Sequence, residues 1–332
     1  MRCLVTGGGG FLGGRIVEML CDRGHDVTAL GRGDYPRLHR LGIRLVRGDI
    51  RDATAVREAC RGIDIVFHVA GITGIWGRQS EFWTINVDGT KNVLDACRAC
   101  GVPKLVYTSS PSVVSGKEPL RGVDESQTYP RKFIGAYSQT KAAAERLVLA
   151  ANGPQLSPVA IRPHLVFGPG DPNLFPRIVT RAKAGTLRQV GDGQNLVDVT
   201  YIDNAADAHL LAAQLLAPGS PCAGKPYFIS QGSPVALWPW LNEVLPRLGA
   251  PPVLRSISYR KAHAAGAILE AAYSLLRIHR EPLMTRFLAL QLGKDHYFDI
   301  SAARRDLGYA PRVSLGEAVG RTVESWGSID QL

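Results

Sequence analysis

The chain has 332 residues, 45% hydrophobic and 20% charged, with a formal net charge of +10. That is the make-up of an ordinary globular protein, long enough for one large α/β domain or two smaller ones. The charge is compatible with nucleic acid, anionic lipid or an acidic small substrate, but no nucleic-acid motif accompanies it, so no nucleic-acid partner is expected and the basic excess is read as a solvated face or an anion-facing lid. The chain starts directly in a strand pattern and has no room for a signal peptide, so a cytoplasmic location is expected.

In chain order, the apolar run Arg2 to Val5 leads into Thr6-Gly7-Gly8-Gly9-Gly10-Phe11-Leu12-Gly13, followed by helical spacing at Ile16, Val17, Met19 and Leu20. Strand, glycine loop and helix in that order predict a dinucleotide site. The glycines permit a tight turn and a close approach to pyrophosphate, and the helix N-terminus faces the phosphates. Further strands are predicted at Val27 to Leu30, Ile43 to Val46, Ile63 to Phe67, Leu105 to Thr108 and Val159 to Ile161. Helical periodicity runs from Ala53, from Ser80 and over Ala136 to Ala151. The alternation predicts an α/β fold, a Rossmann-type doubly wound parallel sheet with helices on both faces.

Beyond Arg162 prolines and glycines multiply, before a helix from Asn204 to Leu216 and a strand near Tyr227 to Ser230. Residues 1–162 are therefore expected to form the dinucleotide-binding domain to which 201–230 return. Residues 163–200 and 231–332 would form a smaller, interleaved substrate region. The run Ala262 to Leu276 is nearly all apolar, but too short to span a bilayer and interrupted by Glu270. It is expected to be a buried or substrate-covering helix, with contact to a membrane surface as the second reading. Nine Lys and Arg against four acids lie between Arg255 and Arg305, half of the net charge. Cys97-Arg-Ala-Cys100 alone offers too few ligands for zinc, so no metal is expected and its thiols read as buried helix residues.

Tyr137 and Lys141 stand at i and i+4 near a helix start, on one face. Ser110 follows the fifth strand, and ligands of an open parallel sheet bind outside the carboxyl ends of its strands. A phenol transfers protons near neutrality only when a cation stabilises its phenolate, which Lys141 would do. Ser110 would hydrogen-bond a carbonyl oxygen while Tyr137 donates a proton to it, which is the chemistry of carbonyl reduction.

With Thr6 to Gly13, Gly48-Asp49-Ile50, Val69-Ala70-Gly71, Asn86-Val87-Asp88-Gly89-Thr90, Ser110, Tyr137 and Lys141, the chain resembles an extended short-chain dehydrogenase/reductase over nearly all its length. The resemblance implies cofactor contacts from Gly7, Gly10, Phe11, Leu12, Gly13, Asn86 and Thr108. It puts Asp49 and Ile50 beside the adenine, Val69, Ala70 and Gly71 along a ribose, and Pro163 against the nicotinamide, whose ribose Lys141 also bonds. It further implies a homodimer through the helices Ser80 to Ala99 and Ala136 to Ala151. Asp203 is read as capping the helix that starts near Asn204.

The second strand is followed by Gly31 and Arg32, where an NAD-binding member carries an acid. Arginine suits a 2′-phosphate, so NADPH is expected over NADH. Pro111 and Ser112 replace the acidic pair of dehydratases, and Leu165 stands where sugar-nucleotide enzymes carry asparagine. The segments Gly191 to Asp198, Tyr201 to Asn204, Gly224 to Ser230 and Arg304 to Tyr309 are similar instead to the 3β-hydroxysteroid dehydrogenase branch. Trp76-Gly77, Thr108 to Val113 and Asn195 to Asn204 resemble its bacterial olefin-biosynthesis reductases, which reduce 3-oxo acids with two alkyl chains. The expected activity is NADPH-dependent reduction of such a hydrophobic, carboxylate-bearing ketone, with contact to a membrane surface or a pathway enzyme as a further expectation. A 3β-hydroxysteroid or sterol dehydrogenase is the alternative enzyme. An NADP-sensing regulator without turnover is the reading from another class, against which Ser110, Tyr137 and Lys141 speak.

Overall fold

The computed structural model describes residues 1–329. Seven parallel strands form the main sheet: β1 (Arg2–Thr6), β2 (Asp26–Gly31), β3 (Arg44–Arg47), β4 (Ile65–His68), β5 (Lys104–Thr108), β6 (Ser157–Pro163) and β7 (Pro226–Ile229). Their order across the sheet is 3-2-1-4-5-6-7, so the strand order reverses between β1 and β4. Thr6 is in register with Leu30 and with His68, which brings three carboxyl ends level at that reversal.

The central strands are apolar on both faces because helices cover both, whereas the edge strand β3 carries the exposed Arg44 and Arg47. Val5, Val27 and Phe67 pack towards α1 (Phe11–Asp22) and α5 (Ile202–Leu215). Leu4, Val66 and Leu105 pack towards α2 (Ala53–Cys60), α3 (Gly89–Cys100) and α4 (Ala136–Ala150). Full burial of such side chains stabilises the layers by about 1.5–3 kcal/mol each.

The helical pattern from Ser80 is realised in three pieces: a short helix Gln79–Trp83, a π-helical turn Thr84–Asp88, and α3. The turn buries Asn86. In α3, Cys97 is buried but Cys100 is only half-buried, a correction to the expectation that both thiols are interior.

The second sheet pairs Leu120–Val123 with His296–Phe298, and the latter with Leu196–Val197 and then Val235–Ala236. Leu120–Val123 thus leaves the first half of the chain to join the C-terminal region, so the two regions interleave more deeply than sequence boundaries describe. A separate core of Phe167, Phe175, Trp238 and Trp240 fills that region.

The apolar run Ala262 to Leu276 forms most of α6 (Tyr259–Leu275), in which only Ala262 and Gly266 are buried. The expectation of a buried helix is therefore corrected. Gly266 lies so close to Thr285 that a Cβ would stand 2.6 Å from that residue's carbonyl carbon, while the opposite side of α6 faces outwards. Among the described residues, no helix is long and apolar enough to cross a membrane.

Candidate active site

The glycine loop bends where β1 meets α1. Gly7 takes a φ of +70°, and a Cβ on it would stand 2.9 Å from the Cα of Ala70. A Cβ on Gly13 would stand 2.2 Å from the carbonyl oxygen of Gly7. Glycine is thus imposed by a left-handed turn at one end and by close packing of helix on loop at the other. Gly10 precedes α1 with extended backbone, and no side chain caps the first turn, formed by Phe11, Leu12 and Gly13. Amides at such an end need an external acceptor. The bare first turn and its glycine cradle fit the pyrophosphate of a dinucleotide.

Val69 and Ala70 are tied to this loop: the Val69 N–H donates to the Thr6 carbonyl at 3.3 Å and the Ala70 N–H to Thr6 Oγ1 at 3.2 Å. Thr6 Oγ1 also lies 2.8 Å from Nδ1 of the buried His68, whose Nε2 lies 3.0 Å from Thr90 Oγ1. The Thr90 hydroxyl spends its proton on the Asn86 carbonyl at 2.6 Å, so it accepts from His68. His68 is therefore neutral and protonated on Nε2. Burial, aided by the charge of Lys141, holds its pKa down at about 3.

Asn86 reaches the site indirectly. Its Oδ1 accepts from the Ile72 N–H at 2.9 Å, and its amide donates to the Ile72 carbonyl and to Thr140 Oγ1, both at 3.1 Å. With both amide hydrogens engaged, Asn86 fixes Gly71 and Ile72 against α4. Asp49 is held by Arg51, 2.7 Å away, and Ile50 is buried against Gly89. Arg32 lies exposed just past β2, with no ion-pair partner among the described residues.

Ser110 follows β5 and caps the turn Pro111–Val114, its Oγ accepting from the Ser112 N–H at 3.2 Å. Across from it, α4 presents Tyr137 and Lys141. Burial raises the Tyr137 phenol pKa, and a hydrogen bond with Ser110 works the other way. Lys141 is buried with its Nζ donating to the Thr108 carbonyl at 2.6 Å and lying 4.2 Å from the centre of the Tyr107 ring. Burial lowers its pKa from 10.5 to about 7, against the pull of Glu145 one turn further along α4. The structure thus brings Ser110, Tyr137, Lys141 and Thr108 together at the carboxyl edge of β5. Pro163 ends β6, in register with Ile229.

Several residues here escaped sequence reading. Glu145 and Arg162 form a fully buried bidentate pair at 2.6 and 2.9 Å, and the Tyr129 hydroxyl donates to the same carboxylate at 2.7 Å. Glu145 lies four residues beyond Lys141, a spacing that could have flagged it. His209 accepts from the Thr108 hydroxyl at 2.8 Å while its Nδ1–H donates to the Ala205 carbonyl at 2.7 Å. Asp203 does not cap α5. It pairs with Arg15 of α1 at 2.7 Å and with Arg321 at 3.5 Å, joining the first helix to the last.

Beside the site the loop after β4 meets the segment after α6. The Trp76 indole N–H donates to the Ile278 carbonyl at 3.1 Å and Arg78 donates to His279. A cavity of about 530 Å³ opens there, lined by Ile72, Trp76, Phe82 and His279 among others.

The 3-beta hydroxysteroid dehydrogenase/isomerase family model matches residues 4–255. The chain is 49% identical over 323 residues to the 2-alkyl-3-oxoalkanoate reductase of Stenotrophomonas maltophilia, covering 97% of this chain and 98% of that one. It is 34% identical to the mouse sterol-4-alpha-carboxylate 3-dehydrogenase, decarboxylating, covering 98% and 91% of the two chains. Its fold superposes on MoeE5 in complex with UDP-glucose and NAD with a TM-score of 0.77 at 27% identity, over the whole of both chains. The chain belongs to the 3-beta hydroxysteroid dehydrogenase/isomerase family, whose members are NAD(P)-dependent oxidoreductases of the extended short-chain dehydrogenase/reductase type.

Proposed function

We propose that this protein reduces the 3-keto group of a long-chain 2-alkyl-3-oxoalkanoic acid to the 3-hydroxy acid with NADPH. The observation that carries the reading is the meeting of Ser110, Tyr137 and Lys141 at the carboxyl edge of β5, two strands from β1 and its glycine loop. It is strengthened by a likeness of 49% to a reductase of that substrate class, against 34% to a sterol dehydrogenase.

A reduced nicotinamide, when bound, supplies the hydride. The chain's own residues do the rest. Phe11, Leu12 and Gly13 present the first turn of α1 to the pyrophosphate, and Arg32 meets the 2′-phosphate. Ser110 donates a hydrogen bond to the ketone oxygen, and Tyr137 gives that oxygen its proton. Lys141, held by the Thr108 carbonyl, keeps its ammonium beside the phenol so that the phenolate left behind is stabilised. Glu145 favours the charged form of Lys141, which burial opposes.

Loss of NADPH absorbance on adding a 2-alkyl-3-oxoalkanoic acid tests the reaction, and Tyr137→Phe should abolish that loss. The 2′-phosphate assignment predicts that Arg32→Ala erases a preference for NADPH over NADH. Equal affinities in the wild type, or an unchanged ratio in the variant, would count against it.

Contact with an anionic membrane surface is supported by Ile268, Leu275, Leu276 and Leu283, all exposed. Arg277 and Arg280 beside them have no ion-pair partner among the described residues. Such a surface would suit delivery of a twin-chain amphiphile. A homodimer through α3 and α4 is supported by the exposed Trp83 and Leu147 near these helices.

A further inference from the structure

Tyr35 lies flat against the glycine loop. A Cβ on Gly9 would stand 2.1 Å from Cε1 of its ring and 2.3 Å from Cδ1. On the other side of the ring, a Cβ on Gly31 would stand 2.7 Å from Cε2 and 2.8 Å from the hydroxyl oxygen. Neither glycine has a left-handed φ, so the backbone does not require glycine there. What requires it is space, and the Tyr35 ring takes that space.

The ring is held from below. Pro36 opens the short helix Pro36–His39, Leu38 is buried in the core, and Arg37 pairs with Glu18 of α1. The Tyr35 hydroxyl accepts a hydrogen bond from the Gly33 N–H at 3.1 Å. A phenol has one proton of its own to donate, and no acceptor among the described residues takes it. The half-buried ring therefore wedges between the glycine loop and the end of β2, beside Arg32, with its O–H proton free.

We propose that Tyr35 is a specificity-determining residue of the cofactor site: its ring walls the adenosine end and its hydroxyl donates to the 2′-phosphate that Arg32 neutralises. This rests on the NADPH reading above. Arginine supplies charge and the phenol supplies a fixed, directional donor, while the ring leaves no room for a side chain on the residue that would otherwise line this wall. NADH offers the hydroxyl only a neutral ribose 2′-OH at that position, without the charge that strengthens the bond to a phosphate.

The test measures dissociation constants of NADPH, NADH, adenosine 2′,5′-bisphosphate and adenosine 5′-diphosphate for the wild type, Tyr35→Phe, Tyr35→Ala, Gly9→Ala and Gly9→Ala/Tyr35→Ala. A hydrogen bond to a charged group is worth about 1.5–3 kcal/mol, so Tyr35→Phe should weaken NADPH and the 2′,5′-bisphosphate about ten-fold or more and leave NADH unchanged. Gly9→Ala should lower the melting temperature and weaken every ligand; because the clashing ring is gone, the double variant should regain most of the stability and NADH affinity, but not the NADPH affinity that the lost hydroxyl supplied. If Tyr35→Phe keeps the wild-type ratio of NADPH to NADH affinity, the inference is wrong. If Tyr35→Ala tightens NADPH and NADH alike, the ring stands in the ligand's place and the inference is equally overturned. A wild type that binds the 2′,5′-bisphosphate no better than the 5′-diphosphate instead overturns the NADPH reading itself.

Discussion

Around Lys141 the chain buries charge: the ammonium sits on the Thr108 carbonyl, and one turn on, Glu145 and Arg162 are paired out of contact with water. Along α6 the same chain leaves apolar groups in the open, with Ile268 at 69% exposure, Leu275 at 84% and Leu276 at 67%. Both arrangements cost free energy in an isolated monomer, because desolvated charge and solvated hydrocarbon are each unfavourable. On the reading proposed above, both costs lie where something else binds: a cofactor and ketone at the first, an amphiphile or lipid surface at the second. The contrast makes the two regions separable by experiment, since changes in the first should alter chemistry and stability and changes in the second should alter neither.

The largest effect is expected at Tyr137. Tyr137→Phe removes the proton donor and should lower kcat about 10²–10⁴-fold with NADPH binding unchanged, as read by stopped-flow reduction and by titration. Lys141→Met should cost a similar factor and also change the response to pH. The folded-state pKa of Lys141, about 7, lies below its ordinary 10.5, so the unfolded chain binds the extra proton between those values and stability rises with pH through that window. Below about 7 both states are protonated and that dependence ends. Urea midpoints at a series of pH values should show this slope in the wild type and lose that contribution in the variant.

Next in size is the pair behind Lys141. Glu145→Ala strands a buried guanidinium and should destabilise the fold by about 3–5 kcal/mol, whereas Glu145→Met/Arg162→Met should recover much of that loss. Because Glu145 raises the Lys141 pKa, the double variant should also move the alkaline fall of reductase activity to lower pH. A merely structural pair would leave that limb in place. The smallest effect on the folded state belongs to α6. Leu275→Glu should change stability by no more than about 0.5 kcal/mol and leave turnover of a short, water-soluble 3-oxo acid intact. Sedimentation with phosphatidylglycerol vesicles should nevertheless fall. Loss of turnover in Leu275→Glu, or a loss of its stability well beyond that limit, would break the contrast.

The same contrast divides what could be read from the sequence. The sheet was legible because β-branched runs alternate with helical spacing, and strand ends fall within two residues of Val27 to Leu30 or Leu105 to Thr108. Tyr137 and Lys141 were legible because their roles depend on one helix and its period. His68 and Arg162 were not, since each acquires its meaning from a partner elsewhere in the chain and a lone histidine or arginine carries no mark of burial; Glu145 was marked only by its four-residue spacing from Lys141. Asp203 looked like a cap because it stands at a helix start, but Arg15 and Arg321 compete for its carboxylate. For α6 the sequence showed an apolar run without a period, which cannot say which side is covered. Gly266, pressed against Thr285, decides it. Tyr35 was missed although Gly9 and Gly31 stand in plain view, because a glycine needed for space looks like one needed for a turn.

Ser110, Tyr137 and Lys141 are proposed to reduce a twin-chain 3-oxo acid with NADPH. The most direct measurement follows NADPH oxidation with a long-chain 2-alkyl-3-oxoalkanoic acid and, side by side, NAD reduction with a 3β-hydroxysteroid. Rapid NADPH oxidation that yields the 3-hydroxy acid and disappears in Tyr137→Phe, with no turnover of the steroid, is the predicted result. Steroid oxidation with NAD and no reaction of the 3-oxo acid would contradict it.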